Sequence, residues 1–509
     1  MNDHANLAST ICLDERLVQE DETPHAAALA APFKPVSRSR HMPVYMVAAL
    51  YLILSNLPML ISGRGLEASP HGYINLDYLM IGAVGVFLPR GVVFTLLCLE
   101  SLAAFADSIC TTYLFSLGDL LSSLRYLPVL PQGRVLAGIG VLTASILVCA
   151  ALALVRPLPQ KRLRTVFALL ACVAIPTAID ILDGQNLLWR KDVALSPYRL
   201  AHSPVFTLVA REVHAYRTNA RSRNAGNDPM PSAASAAVSY LNSRPSSVES
   251  PNVVLIVVES WGLPLDAHLA QALTAPYDDP RFTRKYKVSY GAVPFTGLTV
   301  PGEARELCHS TLGFGILHAS AGTVEQCLPA FFHARGYQNL AVHGYVGQLF
   351  YRATWYPNLG FDRSWFGPDL EKLGLPSCRG GFPGICDASI AGWIGSSLLS
   401  EERDKPKFIY WVTLNSHLPE PAHPDLPDDG VCATQPELQS SAALCTWFRL
   451  VREVHQSVQQ AALGATARPT VFVLVGDHAP PFGDPHLRAE FSSTQVPYVM
   501  LTPAAQSSR

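Results

Sequence analysis

Asn252-Val-Val-Leu-Ile-Val-Val258, followed at once by Glu259-Ser260-Trp261-Gly262, is the stretch on which the fold turns. Its apolar, β-branched run predicts a strand buried on both faces, as in a parallel sheet, with a carboxylate at its C-terminal end. The pattern recurs downstream. Phe408-Ile-Tyr-Trp-Val-Thr-Leu414 runs into Asn415-Ser416-His417, and Thr470-Val-Phe-Val-Leu-Val475 into Gly476-Asp477-His478. The weaker Leu340-Ala-Val342 runs into His343-Gly344. Ligands of open α/β sheets bind outside the carboxyl ends of the strands. Glu259, His343, His417, Asp477 and His478 are therefore expected along one edge.

A carboxylate, an Asp-His pair and a hydroxyl at such an edge suit one divalent cation with mixed O/N ligands, Zn²⁺ or Mn²⁺. Singly, each residue has an ordinary reading. A strand-end Glu often caps a helix, Asp-His is a common dipeptide, and a buried His is often structural. Their joint occurrence carries the inference.

Working outward, 509 residues exceed one ordinary core, so at least two structural units are expected. Only 15% of residues are charged, and the mean hydropathy is +0.20, which places part of the chain in lipid. The net charge of −2 and the lack of a long basic run exclude nucleic acid as a partner. Segments 43–61, 135–155 and 165–179 are charge-free, the last extendable to 182 if Asp180 is accommodated. Less regular apolar segments, 74–88 and 92–108, flank Pro89-Arg90-Gly91. Five spans are expected. Lys34, Arg38, Arg40, Arg90 and the basic stretch 156–164 mark the cytoplasmic ends, so an odd number of spans puts everything after about 183 outside. The long polar stretch before the first span argues against a cleaved signal peptide.

Asp77, Glu100 and Asp107 lie in or near these spans, facing the bundle interior, sitting at the interface, or lining an entry route for a lipid headgroup or acceptor. Segment 187–217 mixes Trp189, Arg190, Tyr198, Arg199, Phe206 and Arg211. It reads as an amphipathic segment on the membrane surface or as an ordinary connection. Segment 218–250, rich in Ser, Ala, Asn and Pro, reads as a flexible linker. The expected organisation is a cytoplasmic tail (1–42), a transmembrane domain (43–183), an amphipathic segment and linker (184–250) and a catalytic domain (251–509). Six of the eleven cysteines form sequence-local pairs in the C-terminal half: 308 with 327, 378 with 386 and 432 with 445. Disulfides in an oxidising compartment are expected, with independent thiols the alternative.

Segment 252–262 and Gly476-Asp477-His478 resemble the opening and closing metal motifs of the alkaline-phosphatase/sulfatase superfamily. The ordered set resembles its lipoteichoic acid synthase-like and phosphoethanolamine transferase branch. Gly297-Leu298-Thr299-Val300-Pro301-Gly302-Glu303 resembles the segment with that branch's nucleophilic threonine. His343-Gly344, Phe350, Arg352 and Leu359-Gly360-Phe361-Asp362 resemble its substrate pocket, and Asn415-Ser416-His417-Leu418-Pro419 its second histidine motif.

The resemblance implies an N-terminal α-helical membrane bundle of about five spans and a C-terminal α/β sulfatase-like domain with a mostly parallel central sheet. Glu259, Thr299, Asp477 and His478 would bind one divalent metal ion, with Thr299 as nucleophile. His343 and His417 would be catalytic, and Phe350, Arg352 and Glu303 would bind substrate. The implied activity is transfer of a phospholipid headgroup, phosphoethanolamine or phosphoglycerol, to an envelope acceptor: a glycan, a lipopolysaccharide or a polymer. It would take place at the bacterial inner membrane with the catalytic domain on the periplasmic side. A hydrolase of the same fold and a non-catalytic membrane scaffold are the alternatives. Thr299-Val300-Pro301 has the outline of the sulfatase Cys/Ser-x-Pro-x-Arg signature, but threonine cannot become formylglycine, which argues against sulfate-ester cleavage. Phe350 stands where the synthase branch often has tryptophan, and Pro480-Pro481 is unusual beside the metal motif.

Overall fold

The run at 252–258 forms a fully buried strand, β1 (Asn252–Val258), near the middle of a seven-stranded sheet. The other strands are β2 (Tyr286–Pro294), β3 (Gln338–His343), β4 (Arg363–Trp365), β5 (Lys407–Val412), β6 (Thr470–Gly476) and β7 (Gln495–Pro503). Their order is β2-β7-β6-β1-β5-β3-β4. From β6 to β4 all pairings are parallel, and β7 pairs antiparallel with both β6 and β2. The sheet is mostly parallel, as expected, and the four strands read from sequence are neighbours within it. The computed structural model describes residues 42–58, 60–61, 73–113, 116–182, 200–225, 230–245, 249–318, 324–380, 382–399, 405–417, 430–439, 441–464, 468–482 and 484–504. The tail at 1–41, the 187–199 stretch and Leu418-Pro419 lie outside these.

Both faces of the sheet are covered, which explains the unbroken apolar strands. Val254, Ile256 and Val258 pack with Trp447, Phe448 and Val451 on one face. Val253, Leu255 and Val257 pack with Val300, Leu307 and Phe332 on the other. Each such buried side chain contributes about 1.5–3 kcal/mol. The cysteines close as the pairs Cys308–Cys327, Cys378–Cys386 and Cys432–Cys445.

The N-terminal part holds α1 (Val44–Ile53), α2 (Leu76–Gly85), α3 (Arg90–Thr112), α4 (Leu117–Ser123), α5 (Gln132–Leu154) and α6 (Arg162–Leu182). Among the described residues, three helices are long and apolar enough to span a bilayer: Arg90–Thr112, Gln132–Leu154 and Pro159–Leu182. The first two segments of the expected five form shorter apolar helices, α1 and α2. Leu147 is 67% exposed and Phe167 70% exposed, an outward apolar face that suits lipid.

At one end of the bundle Met42 bridges Pro157, and Arg156 donates to the Gly85 and Leu88 carbonyls. At the other, Ile74-Asn75 pairs in parallel with Ala201-His202. The acids expected at membrane depth are bound there inside the protein. Asn75 donates to Glu100 at 2.7 Å, Ser203 Oγ to Asp77 at 2.8 Å, and His202 meets Asp107 at 2.7 Å. Asp77 and Asp107 tie segment 200–205 to the bundle.

Helix α7 (Pro204–Ala225) continues from that point, with Val205, Phe206 and Val209 exposed and Arg211 bonded to the Cys110 carbonyl and the Thr111 hydroxyl. The expected linker differs from its reading. Its described part includes α8 (Ala234–Asn242), and Ala233, Ala234 and Ala237 are buried in the core around the seven-stranded sheet. Small residues that read as linker composition here permit close backbone packing.

Candidate active site

The parallel strands end side by side, so residues far apart in sequence converge at one edge. Glu259 follows β1, Asp477 and His478 follow β6, and Thr299 opens helix α9 (Thr299–Cys308). Thr299 Oγ1 donates to Glu259 Oε2 at 2.9 Å. His478 Nε2 lies 3.2 Å from Glu259 Oε1 and 3.3 Å from Asp477 Oδ2. All four residues are buried. The approach is tight: a Cβ on Gly476 would stand 1.8 Å from the Trp261 carbonyl oxygen. Ser260, beside Glu259, has φ 56°, a conformation unfavourable for a residue with a side chain. Its amide donates to Asp477 Oδ1 at 2.8 Å, and its carbonyl accepts from Trp447.

The electrostatics are unbalanced. Burial acts to raise the Glu259 carboxyl, but the His417 and His478 charges and the Thr299 hydroxyl hold it below the usual carboxylate range. Burial, and then the Glu259 charge, push Asp477 up to about 8. Burial opposes the His478 cation, yet Asp477 and Glu259 raise its pKa to about 9.

A second group adjoins the first. His343 ends β3, and its Nδ1 donates to the Val412 carbonyl at 3.0 Å, which leaves the Nε2 lone pair facing Arg352 Nη1 at 3.4 Å. Burial, and then the Arg352 charge, push His343 down to about 3, so its ring is neutral. Arg352 opens α10 (Arg352–Leu359) and donates to Glu303 through Nε at 3.0 Å and Nη2 at 2.7 Å. Tyr356 and Tyr410 donate to the other Glu303 oxygen at 2.7 and 3.2 Å. Glu303 was expected to bind substrate; its oxygens are instead engaged within the fold, where they hold Arg352. Phe350 lies against Arg352, 5.4 Å from guanidinium to ring centroid. His417 follows β5, with Phe382 against its ring at 4.2 Å.

The sulfatase family profile matches residues 251–509, just over half of the chain. The chain belongs to the sulfatase family. No curated protein sequence matches it. Among solved structures, it is similar to the lipoteichoic acid synthase LtaP from Listeria monocytogenes, at 13% identity and a TM-score of 0.36. That match covers 50% of this chain and 66% of the other, just under two thirds. It is similar to the phosphoglycerol transferase GacH from Streptococcus pyogenes at 14% identity, covering 53% and 73%, with a TM-score of 0.32. It is also similar to the integral membrane lipooligosaccharide phosphoethanolamine transferase EptA from Neisseria meningitidis at 16% identity, covering 91% and 88%, with a TM-score of 0.42.

Within this sulfatase-family domain, Glu259, Asp477 and His478 offer ligand atoms within 4.8 Å of one another. The donor set fits a divalent cation: Asp477 Oδ2 is buried and accepts no hydrogen bond, and two carboxylates share the space with one imidazole. His478 Nδ1 lies 2.8 Å from the Ala479 carbonyl, so in the neutral ring Nε2 is free to ligate.

Several supporting residues carry no sequence signal. Arg305 donates to the Gly476 carbonyl at 2.6 Å and the Asp477 carbonyl at 3.3 Å, and it pairs with Glu306 at 2.6 Å. Glu306 in turn accepts from the Ala234 amide in the former linker at 2.9 Å. Asp387 accepts from the Leu414 and Asn415 amides and shapes the turn to His417. Pro480 lies beside Gly262, where an added Cβ would meet its Cδ at 2.5 Å, and Phe482 joins the Trp447–Phe491 cluster. The proline pair thus belongs to the packing behind the edge that carries Glu259, Asp477 and His478.

Proposed function

We propose that this protein is a metal-dependent transferase that moves the phosphorylated headgroup of a membrane phospholipid to an envelope glycan, lipopolysaccharide or polymer. The observation that carries the reading is the Thr299 hydroxyl, hydrogen-bonded to Glu259 inside a buried site where two carboxylates share one imidazole. Glu259, Thr299, Asp477 and His478 would hold the ion, Zn²⁺ or Mn²⁺. A divalent cation there would lower the pKa of the threonine hydroxyl and offset phosphate charge.

Thr299, ionised, attacks the phosphorus. The Thr299 Oγ–P bond forms, the P–O bond to diacylglycerol breaks, and the leaving alkoxide takes a proton from His417. The acceptor hydroxyl then gives its proton to His417 as it attacks the phosphothreonine, and Thr299 leaves as alkoxide. Arg352 binds phosphate oxygens as a planar donor. His343 suits a different part, because its Nδ1 proton is committed to Val412: it accepts from Arg352 and orients it.

Five spans with the catalytic domain on the periplasmic side of the inner membrane suit a donor that never leaves the bilayer. The basic residues near Arg156 and the Ile74–Ala201 pairing lie at opposite ends of the bundle, which supports that orientation.

The test is the mass of the full chain after incubation with phosphatidylethanolamine or phosphatidylglycerol vesicles and Zn²⁺ or Mn²⁺. An adduct on Thr299, absent in Thr299→Ala, is expected, and its mass names the headgroup. Free headgroup released without any adduct would replace the reading with hydrolysis.

A further inference from the structure

The loop between α3 and α5 belongs to the membrane half, yet it packs onto the substrate side of the catalytic domain. Tyr126, Tyr345, Leu349 and Leu414 form one small buried cluster, joined by Val129, Leu130, Phe350 and Phe382. Tyr345 donates its hydroxyl to the Val129 carbonyl at 2.5 Å. Two relays cross this contact. The Tyr126 ring meets Phe350 and Tyr351 edge-on, each at 5.3 Å, and Phe350 lies against Arg352. Arg134, near the start of α5, lies 4.9 Å over the Phe382 ring, and Phe382 lies against His417.

The backbone shows what the first relay does. Phe350 and Tyr351 have φ of 53° and 51°, two consecutive left-handed residues with bulky side chains. Such conformations persist only where surrounding contacts over-determine them. Arg352 comes next and starts α10, so the turn sets where its side chain begins, while Glu303 holds the guanidinium at its far end. Within the C-terminal domain the turn is held by the Trp355 bond to the Phe350 carbonyl at 3.0 Å, the Tyr351 amide bond to the Gln348 carbonyl at 3.0 Å and the Phe314 ring, 6.0 Å from that of Phe350; from the membrane half, Tyr126 meets both rings and Arg125 lies 5.8 Å over Tyr351.

We propose that Tyr126 and Arg134 are positioning residues of the active site. Tyr126 holds the strained Phe350–Tyr351 turn that aims Arg352, and Arg134 holds Phe382 against His417. The membrane half is thereby part of the catalytic apparatus as well as its anchor. The assignment rests on the headgroup-transfer reading for its kinetic consequence but not for its structural one.

Tyr126→Ala and Tyr126→Phe in the full, detergent-purified chain test it, with two readouts. The first is the rate of adduct formation on Thr299 at saturating phosphatidylethanolamine or phosphatidylglycerol, with metal content measured alongside. Tyr126→Ala is expected to slow it about 10- to 100-fold with metal content unchanged, the scale on which a displaced positioning group acts. Tyr126→Phe keeps the ring and should stay within about twofold of the wild type. The second readout, amide exchange across residues 345–352, needs no donor. Tyr126→Ala should speed it about tenfold while strand β3 keeps its protection.

Wild-type exchange and rate in Tyr126→Ala overturn the proposal, as does a Tyr126→Phe defect equal to that of alanine. Should Tyr126→Ala fail to fold, Tyr126→Leu, which fills the space without a ring edge, takes its place. A wild-type chain that forms no adduct with either vesicle sinks the transfer reading, and exchange alone then decides the latch. Arg134→Leu tests the second relay, with faster exchange expected at 414–417; unchanged exchange there removes Arg134 from the assignment.

Discussion

Glu259 and Glu303 are buried glutamates of the same domain in opposite circumstances. Glu303 has its own cation: Arg352 stands 2.7 Å away, and two tyrosine hydroxyls complete its hydrogen bonds. Glu259 shares its space with a second carboxylate, Asp477, and a single imidazole lies between them. A buried carboxylate with a committed guanidinium is framework. Two carboxylates with one imidazole form a donor set that a divalent cation would complete. What distinguishes a scaffold residue from a binding residue here is the committed guanidinium.

The largest effect that would break this contrast comes from Asp477→Ala. It should lose bound metal and all turnover, and chelator should no longer lower its melting temperature. A chelator-sensitive, active Asp477→Ala protein would show that the ion sits elsewhere. Glu303→Gln should do the opposite, leaving the Arg352 charge buried and unpaired. A loss of about 3–5 kcal/mol in stability is expected, with metal stoichiometry unchanged. Thermal unfolding and metal analysis of the same sample separate the two cases. Arg305→Lys keeps the charge but loses the planar fork that binds the Gly476 and Asp477 carbonyls. Its zinc affinity, titrated against a competing chelator, should weaken about 10- to 100-fold.

The smallest effect concerns His455, a fully buried titratable group of a third kind. Its ring meets the Tyr277 hydroxyl at 3.0 Å, and burial pushes its pKa down to about 3. The unfolded chain takes up the proton first. Stability should therefore fall as the pH drops from about 6.5 towards 3, by about 1.4 kcal/mol per unit from this group. His455→Gln should flatten that slope, measured as melting temperature between pH 7 and pH 5. An identical slope in the variant would mean that the proton is taken up elsewhere.

Much of the site is legible because strands advertise themselves. Buried parallel strands need unbroken apolar runs, and the residue that ends each run lands on a common edge. Glu259, His343, Asp477 and His478 could all be read in that way. Arg305, Glu306, Asp387, Tyr356 and Tyr410 could not. They sit inside helices and strands with no local pattern, and their partners lie far away in sequence. The alanine-rich stretch at 233–237 misled for a related reason, since small side chains suit a mobile linker and a closely packed helix equally well.

The sequence by itself determined the two-part architecture, the apolar helices of the membrane half, the three disulfide pairs and the strand-end residues of the sulfatase-family domain. Each of these is a local property, written in hydrophobic period, charge or spacing. Only the tertiary structure decided that Glu303 serves Arg352, that Asp77 and Asp107 brace segment 200–205 while Glu100 holds Asn75, and that Tyr126 reaches the turn before Arg352. The physical reason is common to all three. Whether a buried charge or a strained turn is satisfied depends on which distant groups surround it, and the packing of the whole chain settles that.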